Sequence, residues 1–321
     1  MVYNYSWIFI VKLIGLLYFV RINSVRPIVI NSANSYNNTR IAPTPSGFLH
    51  VGNILSFAIT SAMAKKANAK VLLRIDDLDQ ARANDKYVQD IFDTLNYLEV
   101  PWDHGPRDVQ DFRDNWSQAN RMGSYHDALT RLRHKGLVFA CTCSRQQVKN
   151  LQPCTCLEKH IPLDTENAAW RLISGTNKLE IRNYNGPITH AALPPEMQNF
   201  VIRRRDGIPA YQLASVVDDL HYNIDLIVRG QDLWSSTIAQ HELALALGES
   251  RFGRIKFYHH PLLLEESGRK LSKSAGSTSI KYLRENGRKP SDIYTTIGKM
   301  IGIGHAIDNW SELASSLNLQ A

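Results

Sequence analysis

The chain has 321 residues, of which 44% are hydrophobic and 21% are charged, so its length and composition are those of a soluble globular protein with a large core. The net charge of +7 excludes little, because residues 1–39 contribute +3 of it through Lys12, Arg21 and Arg26. The remaining +4 is as typical of a solvated surface as of a nucleic-acid footprint.

The N-terminal segment contains an apolar run of 14 residues at 7–20, WIFIVKLIGLLYFV, which includes Lys12. It is shorter than the roughly 18 residues expected of a spanning helix, and no A-x-A site follows it. Three interpretations of this segment remain open: a weak membrane or surface anchor, a poorly ordered extension, or sequence translated from upstream of the true start. We expect residues 1–39 to lie outside the fold and expect no stable membrane partner.

From residue 40 the pattern is that of an α/β protein. A strand leads into a helix near residue 54, and the apolar run 71–75 predicts the next strand, which makes a βαβ unit with a parallel sheet. Residues 85–98 and 120–137 have helical spacing, residues 160–195 are irregular and strand-like, and a second α/β stretch begins near Phe200. The expected divisions are 1–39, 40–108, an insert at 109–195, a return to the sheet at 196–260, and a loop with short helices at 261–321.

The stretch RIAPTPSGFLHVGN, residues 40–53, predicts an anion site. A strand that ends in a glycine-containing turn at a helix N-terminus directs backbone N–H groups and the helix dipole at a ligand. Gly47 and Gly52 allow close approach, His50 offers a donor, and Asn53 can cap the helix. An ordinary strand–turn–helix with a capping Asn is the alternative.

A second basic motif, GRKLSKS at 268–274, places Lys270 and Lys273 among Ser and Gly. Such a loop can bring ammonium groups onto a polyphosphate and stabilise charge as it develops. A solvated loop is the alternative when this motif is considered alone. Both motifs together, in this order in a split α/β chain, favour nucleotide chemistry.

All four cysteines, Cys141, Cys143, Cys154 and Cys156, lie within 16 residues. One tight cluster in a large chain favours a metal site in a reducing, cytoplasmic compartment over a disulfide scaffold. Four thiolates are the number that a tetrahedral structural Zn²⁺ takes, so we expect zinc here. A metal-free loop is the alternative.

HVGN and KLSKS resemble the two signature motifs of class I aminoacyl-tRNA synthetases, and RIAPTPSG is similar to the glutamyl and glutaminyl branch. LLRIDDLD at 72–79, WDHGP at 102–106, RRRDGIPAYQLASVVDD at 203–219 and IVRGQDLWSST at 227–237 match that branch in turn. The resemblance implies a Rossmann-type parallel sheet split by an inserted zinc-binding, acceptor-type subdomain, with a short helical stem-contact region at the C-terminus.

The resemblance also implies that ATP with Mg²⁺ activates L-glutamate as glutamyl-adenylate, which an RNA hydroxyl then accepts. The residues that it assigns to catalysis or ATP are His50, Gly52, Asn53, Lys270 and Lys273. Those that it assigns to glutamate are Arg40, Ile41, Ala42, Pro43, Thr44, Asp76, Tyr211 and Arg229. Asp76 is shorter than the Glu usual in bacterial glutamyl enzymes and matches the glutaminyl enzymes, whereas Arg229 favours glutamate.

Only 47 residues follow Ser274, so we expect no separate anticodon-reading domain. The chain thereby resembles the short paralogues of the branch, which attach glutamate to the queuosine base of tRNA(Asp). In those paralogues the zinc site often has three Cys and one Tyr; the Tyr position falls at Gln152, and Cys154 can substitute for it.

For contact with RNA the candidates are the Arg203–Arg204–Arg205 run and the insert, from Arg131 and Arg133 to Lys149. Plain surface solubility is the alternative for such a run. Three other functions remain as alternatives: charging of tRNA(Glu) at its 3′ end, a non-catalytic paralogue, and another nucleotidyl transferase with a similar first motif.

Overall fold

A computed structural model describes residues 36–144, 154–184, 186–262 and 279–316, together with the backbone of two short terminal strands. The strands are β1 Ile28–Val29, β2 Asn38–Ile41, β3 Lys70–Leu73, β4 Val138–Cys141, β5 Ala169–Leu172, β6 Leu179–Asn183, β7 Thr189–Ala191, β8 Val201–Arg203, β9 Leu226–Gly230, β10 Lys256–His260 and β11 Leu319–Gln320. The α-helices are α1 Val51–Ala67, α2 Asp85–Tyr97, α3 Val109–Asp111, α4 Met122–His134, α5 Tyr211–His221, α6 Trp234–Leu247, α7 Ile280–Glu285, α8 Pro290–Met300 and α9 Trp310–Ser316.

The main sheet has six strands in the order β3-β2-β9-β10-β6-β7. Its first five strands are parallel, and β7 pairs antiparallel with β6. In β9 and β10 the register places Arg229 beside His259 and Gly230 beside His260. The predicted α/β fold with a parallel sheet is therefore confirmed, and it brings both halves of the chain into one sheet.

A smaller antiparallel sheet, β4-β5-β8, carries Cys141 at the end of β4. Three strands do not follow the division expected at 195/196. β6 and β7 lie before it yet belong to the main sheet, where β6 pairs with β10, and β8 lies after it yet pairs with β5 in the small sheet. Strand pairing depends on partners far away in sequence, which the local pattern of 160–195 does not reveal.

Two hydrophobic clusters pack on opposite faces of the main sheet. Val71 and Leu73 of β3 belong to one cluster, and the intervening Leu72 belongs to the other. Successive side chains of a strand point to opposite faces, so this alternation shows that both faces are covered. Helices α1, α2, α8 and α9 contribute to the first face, and α4, α5 and α6 contribute to the second.

The N-terminal boundary of the sheet lies slightly before residue 40, because β2 begins at Asn38 and the Tyr36 side chain is buried. The apolar run 7–20 lies outside the described residues. Among the helices that the structure describes, none has the length and apolar character needed to cross a membrane.

Candidate active site

A cavity of about 870 Å³ opens at the carboxyl ends of β2, β3, β9 and β10. Ligands of open parallel sheets bind at this edge, because the loops that leave it converge there. The predicted residues that line the cavity are Arg40, Ile41, Ala42, Pro43, Thr44, His50, Gly52, Asn53, Asp76, Tyr211 and Arg229. These residues come from four separate segments of the sequence.

The HVGN turn forms the N-terminus of α1, where His50 is the capping residue. The Gly52 N–H donates to Nδ1 of His50 at 3.1 Å, and the His50 N–H donates to Oδ1 of Asn53 at 3.1 Å. Because Nδ1 accepts, the hydrogen of the neutral imidazole lies on Nε2. The turn thus uses the Gly52 N–H internally and sets the tautomer of His50.

Two buried arginines share a buried carboxylate at the base of the cavity. Nε of Arg40 and Nη1 of Arg74 donate to Oδ1 of Asp219 at 2.9 and 2.7 Å. Arg74 also donates from Nε and Nη2 to Asp76 at 2.7 and 3.1 Å. Burial raises the pKa of Asp76, although Arg74 opposes the shift. Asp76 is therefore already paired, and an incoming ammonium group would join an existing ion pair.

Arg229 differs from Arg40 and Arg74 because none of the described residues offers it a carboxylate within salt-bridge distance. Its Nη1 donates to Oε1 of Gln240 at 2.9 Å, and its buried Nη2 has no hydrogen-bond partner among the described residues. Burial lowers its pKa to about 10. A buried, charged donor without a partner is costly unless a ligand satisfies it, so this guanidinium is suited to an anion entering the cavity.

Lys270 and Lys273 lie outside the described residues. The segment that contains them joins Leu262 to Ser279, and both of these residues line the cavity. Ser279 forms an antiparallel bridge with His50, and the Ile280 N–H donates to the Leu49 carbonyl at 2.8 Å. The chain thus leaves and re-enters the described structure at the cavity, beside the first motif.

Several polar residues of the cavity, namely Arg74, Asp232, His260 and Lys281, were not predicted from the sequence. Arg74 and Asp232 lie within the recognised LLRIDDLD and IVRGQDLWSST segments, so their motif positions were the available signal. His260 donates from Nδ1 to the Pro261 carbonyl at 2.8 Å, and no described residue pairs with its buried Nε2. No pattern in the sequence distinguished His260 or Lys281.

The four cysteines meet in space with their sulfurs within 4.8 Å of one another. Three sulfur–sulfur distances, Cys141–Cys154, Cys143–Cys154 and Cys143–Cys156, are 3.6, 3.7 and 3.5 Å. Four sulfurs at about 2.3 Å from one tetrahedral zinc ion lie about 3.8 Å apart. These distances fit a zinc site and are far too long for disulfide bonds.

The cluster also provides a stabilised thiolate. Burial opposes ionisation of Cys156, but hydrogen bonds from the Thr142 N–H and from the neighbouring thiols lower its pKa to about 7. Burial raises the pKa of Cys143 to about 12 and also raises the pKa of Cys154, so metal binding would have to release the protons of these thiols.

The basic side chains considered for RNA contact are engaged within the chain. Arg203 stacks on Trp170 at 5.0 Å, and Arg204 pairs with Asp206 at 2.6 Å. Arg133 pairs with Asp164 at 2.9 Å, and Arg131 donates to the Leu247 carbonyl at 2.6 Å. Lys149 lies outside the described residues.

Comparison with known proteins gives the class of this chain. A family model described as class I tRNA synthetases (E and Q), catalytic domain, matches residues 37–169 and 164–316. The chain therefore belongs to this family, and it is a ligase of the aminoacyl-tRNA synthetase class.

Curated relatives give a narrower likeness. The chain is 35% identical to the glutamyl-Q tRNA(Asp) synthetase of Synechococcus sp. (strain CC9605), over 84% of each chain. It is 32% identical to the protein of the same name from Symbiobacterium thermophilum, over 82% of this chain and 86% of the relative. It is also 29% identical to glutamate–tRNA ligase 2 of Syntrophus aciditrophicus, but spans only 61% of that protein.

Among solved structures, the glutamate-tRNA synthetase of Elizabethkingia anophelis resembles this chain with a TM-score of 0.68 and 18% identity. The match covers 89% of this chain and 67% of the other. At this identity the likeness shows the fold, which agrees with the parallel sheet and its insert.

Proposed function

We propose that the protein activates L-glutamate with ATP as glutamyl-adenylate and transfers the glutamyl group to the queuosine base at the wobble position of tRNA(Asp). The observation that carries the activation step is the buried guanidinium of Arg229, a residue that lines the cavity and whose Nη2 has no partner in the part of the chain that the structure describes. Arg40 lines the same cavity. The cavity therefore offers two guanidinium groups, from Arg40 and Arg229, to the two carboxylates of glutamate.

The chemistry requires positioning and charge stabilisation more than covalent catalysis by the protein. An α-carboxylate oxygen of glutamate bonds to the α-phosphorus of ATP, the bond to the bridging oxygen breaks, and pyrophosphate leaves with Mg²⁺. His50 would donate from Nε2 to a phosphate oxygen, and Lys270 and Lys273 would balance the charge of the departing pyrophosphate. Tyr211 and Asp76 would orient the amino acid.

The transfer step needs a nucleophilic hydroxyl from RNA. A hydroxyl oxygen of the acceptor bonds to the glutamyl carbonyl carbon, AMP leaves, and the hydroxyl proton passes to the departing phosphate. The names of the Synechococcus and Symbiobacterium relatives support tRNA(Asp) carrying queuosine as the acceptor. Charging of a tRNA at its 3′ end is the second candidate, supported by the name of the Syntrophus relative.

The cysteine cluster would hold one structural Zn²⁺ in this proposal. The ion would supply folding energy to the segment around the small sheet and take no part in the chemical steps, because the four sulfurs leave no open coordination position. A cytoplasmic location stays a prediction.

The test uses the purified full chain with ATP, radiolabelled glutamate and four preparations of tRNA. The tRNA either carries or lacks queuosine, and each kind is used with and without its 3′-terminal adenosine. The proposal expects labelling that requires queuosine and does not require the terminal adenosine. Labelling with the opposite requirements would replace it with 3′-end charging.

Glutamate-dependent ATP–pyrophosphate exchange, measured in parallel, separates the two steps. Exchange without labelling of any tRNA would retain glutamate activation and overturn the acceptor. Exchange that depends on glutamine instead would overturn the pairing of Arg40 and Arg229 with the two carboxylates of glutamate.

A further inference from the structure

A tight hairpin turn joins β8 to α5 and connects the small sheet to the cavity. The Arg204 N–H donates to the Ile208 carbonyl at 2.8 Å, and the Ala210 N–H donates to the Ile202 carbonyl at 2.9 Å. Tyr211, which lines the cavity, follows at once as the first residue of α5. A displacement of this turn would therefore move the tyrosine.

Arg205 extends from this turn to the cysteine cluster. Its Nη2 lies 2.6 Å from the Thr142 carbonyl oxygen and 2.7 Å from the Cys143 carbonyl oxygen. This nitrogen carries two hydrogens, so it can donate one to each carbonyl. The contact spans 62 residues of sequence and fixes the backbone of the first Cys-x-Cys pair.

The Thr142 carbonyl that accepts from Arg205 lies between the two cysteines of the first pair. The sulfurs of Cys141 and Cys143 lie 3.5 to 3.7 Å from those of the second pair, Cys154 and Cys156. Arg205 thereby connects the turn before α5 with the backbone that carries the first pair of the cluster.

The charge of Arg205 also suits a metal-loaded cluster. Four thiolates around one divalent ion leave two net negative charges, which nearby donors and cations stabilise. The neighbouring Arg204 has the same charge and lies in the same turn, but it bonds to Asp79 at 3.3 Å and Asp206 at 2.6 Å. Two adjacent arginines thus make different contacts, and only Arg205 has a described bond to the Cys-x-Cys backbone.

We propose that Arg205 is a positioning residue that clamps the first Cys-x-Cys turn for metal binding and, through the β8–α5 hairpin, keeps Tyr211 in place at the glutamate end of the cavity. The first part of this proposal, that Arg205 holds the Cys-x-Cys turn for metal binding, rests on its two carbonyl contacts and on the fit of the four sulfurs to zinc. The connection to Tyr211 rests in addition on the proposed function.

The experiment compares Arg205→Ala, Arg205→Lys and the matched control Arg204→Ala, each as the full chain loaded with Zn²⁺. The transfer of Zn²⁺ to a chromophoric chelator measures how firmly the cluster holds the metal. Loss of an outer partner of a metal site typically lowers metal affinity about 10–100-fold, and we expect a change of that size in Arg205→Ala. Arg204→Ala should stay within about twofold of the parent, and Arg205→Lys, which retains a donor and the charge, should lie between.

Glutamate-dependent ATP–pyrophosphate exchange at saturating Zn²⁺ tests the connection to Tyr211. We expect Arg205→Ala to raise KM for glutamate several-fold with little change in kcat. An unchanged KM would overturn this connection, and equal metal release from Arg205→Ala and Arg204→Ala would overturn the clamp. Metal release needs no catalysis, so the clamp is tested even if no exchange occurs.

Discussion

Arg229 occupies the position where the sheet, α6 and the cavity meet. Its guanidinium lies 5.2 Å from the ring of Phe257, and Nη1 bonds to Gln240 of α6. These contacts position the side chain but supply no negative charge. The motif IVRGQDLWSST indicated the residue, whereas the folded structure was needed to show that no described carboxylate lies within salt-bridge distance of it.

Replacing Arg229 with Met should raise KM for glutamate about 10–100-fold in ATP–pyrophosphate exchange. One charge-assisted hydrogen bond contributes about 1.5–3 kcal/mol, and 1.36 kcal/mol corresponds to a factor of ten. Methionine keeps the length and apolar contacts of the stem, so the fold should persist.

The control for this substitution is Arg251→Met, because Arg251 is exposed and the described bond of its side chain is to Asn223. It should leave KM for glutamate within about twofold. A KM of Arg229→Met equal to that of the control would contradict a role for Arg229 in binding glutamate.

At the scale of elements, the WDHGP segment extends the edge of the main sheet beyond β3. Its His104 accepts from the Leu73 N–H at 2.9 Å, and the N–H groups of Asp103 and His104 donate to the Val71 carbonyl at 2.8 and 3.1 Å. The following Gly105 has φ of +108°, and a Cβ there would lie 2.3 Å from the Leu73 carbonyl oxygen. The glycine permits this close approach to β3.

Gly105→Ala should therefore destabilise the protein by at least about 2 kcal/mol, because it combines backbone strain with a clash against main-chain atoms. Chemical denaturation measures this change. The matched control is Gly123→Ala in α4, where a Cβ meets nothing within 4 Å and alanine favours the helix. The explanation fails if both variants lose the same stability.

At the scale of the whole molecule, three histidines lie on α6 and β10, where His241 and His260 are buried and His259 is partly buried. Burial lowers the pKa of His241 to about 4 and of His259 to about 3, and it also lowers the pKa of His260. His241 packs edge-on against Phe252 with ring centroids 5.2 Å apart. The folded protein thus keeps these imidazoles neutral where the unfolded chain would protonate them.

This burial predicts acid sensitivity with a defined direction. The unfolded chain binds a proton at His241 below its ordinary pKa of 6.5, whereas the folded chain does so only near pH 4. Keeping His241 neutral therefore favours the folded state fully above pH 6.5, and this advantage is lost as the pH falls from 6.5 towards 4. Between pH 7 and 5 it amounts to about 2 kcal/mol for this one residue.

Between pH 7 and 5 the parent protein should lose more unfolding free energy than the variant His241→Phe. The difference between the two losses should be about 2 kcal/mol. Phenylalanine retains the ring packing and cannot bind a proton. Urea denaturation at the two pH values measures the difference, with exposed His126→Phe as the matched control. Equal losses in the parent and His241→Phe would contradict the prediction.

The parts of this molecule that the sequence determined by itself are local. The His50–Gly52–Asn53 turn is one, because its capping bonds join residues two and three positions apart. The helices predicted at 85–98 and 120–137 are others, and the structure has α2 and α4 there. The pattern of strands and helices along the chain also predicted the split sheet, because a second α/β stretch begins near Phe200 after the insert.

Tertiary structure decided which distant groups meet. Arg74 and Asp219 are 145 residues apart in the sequence, yet they form an ion pair at the base of the cavity. Neither residue was assigned a role from the sequence. Arg203, Arg204 and Arg205 look equivalent in the sequence, yet their contacts are an indole ring, two carboxylates and two carbonyls. Periodicity and motif spacing describe neighbours along the chain, whereas these partners are set by which strands pair and which turns pack together.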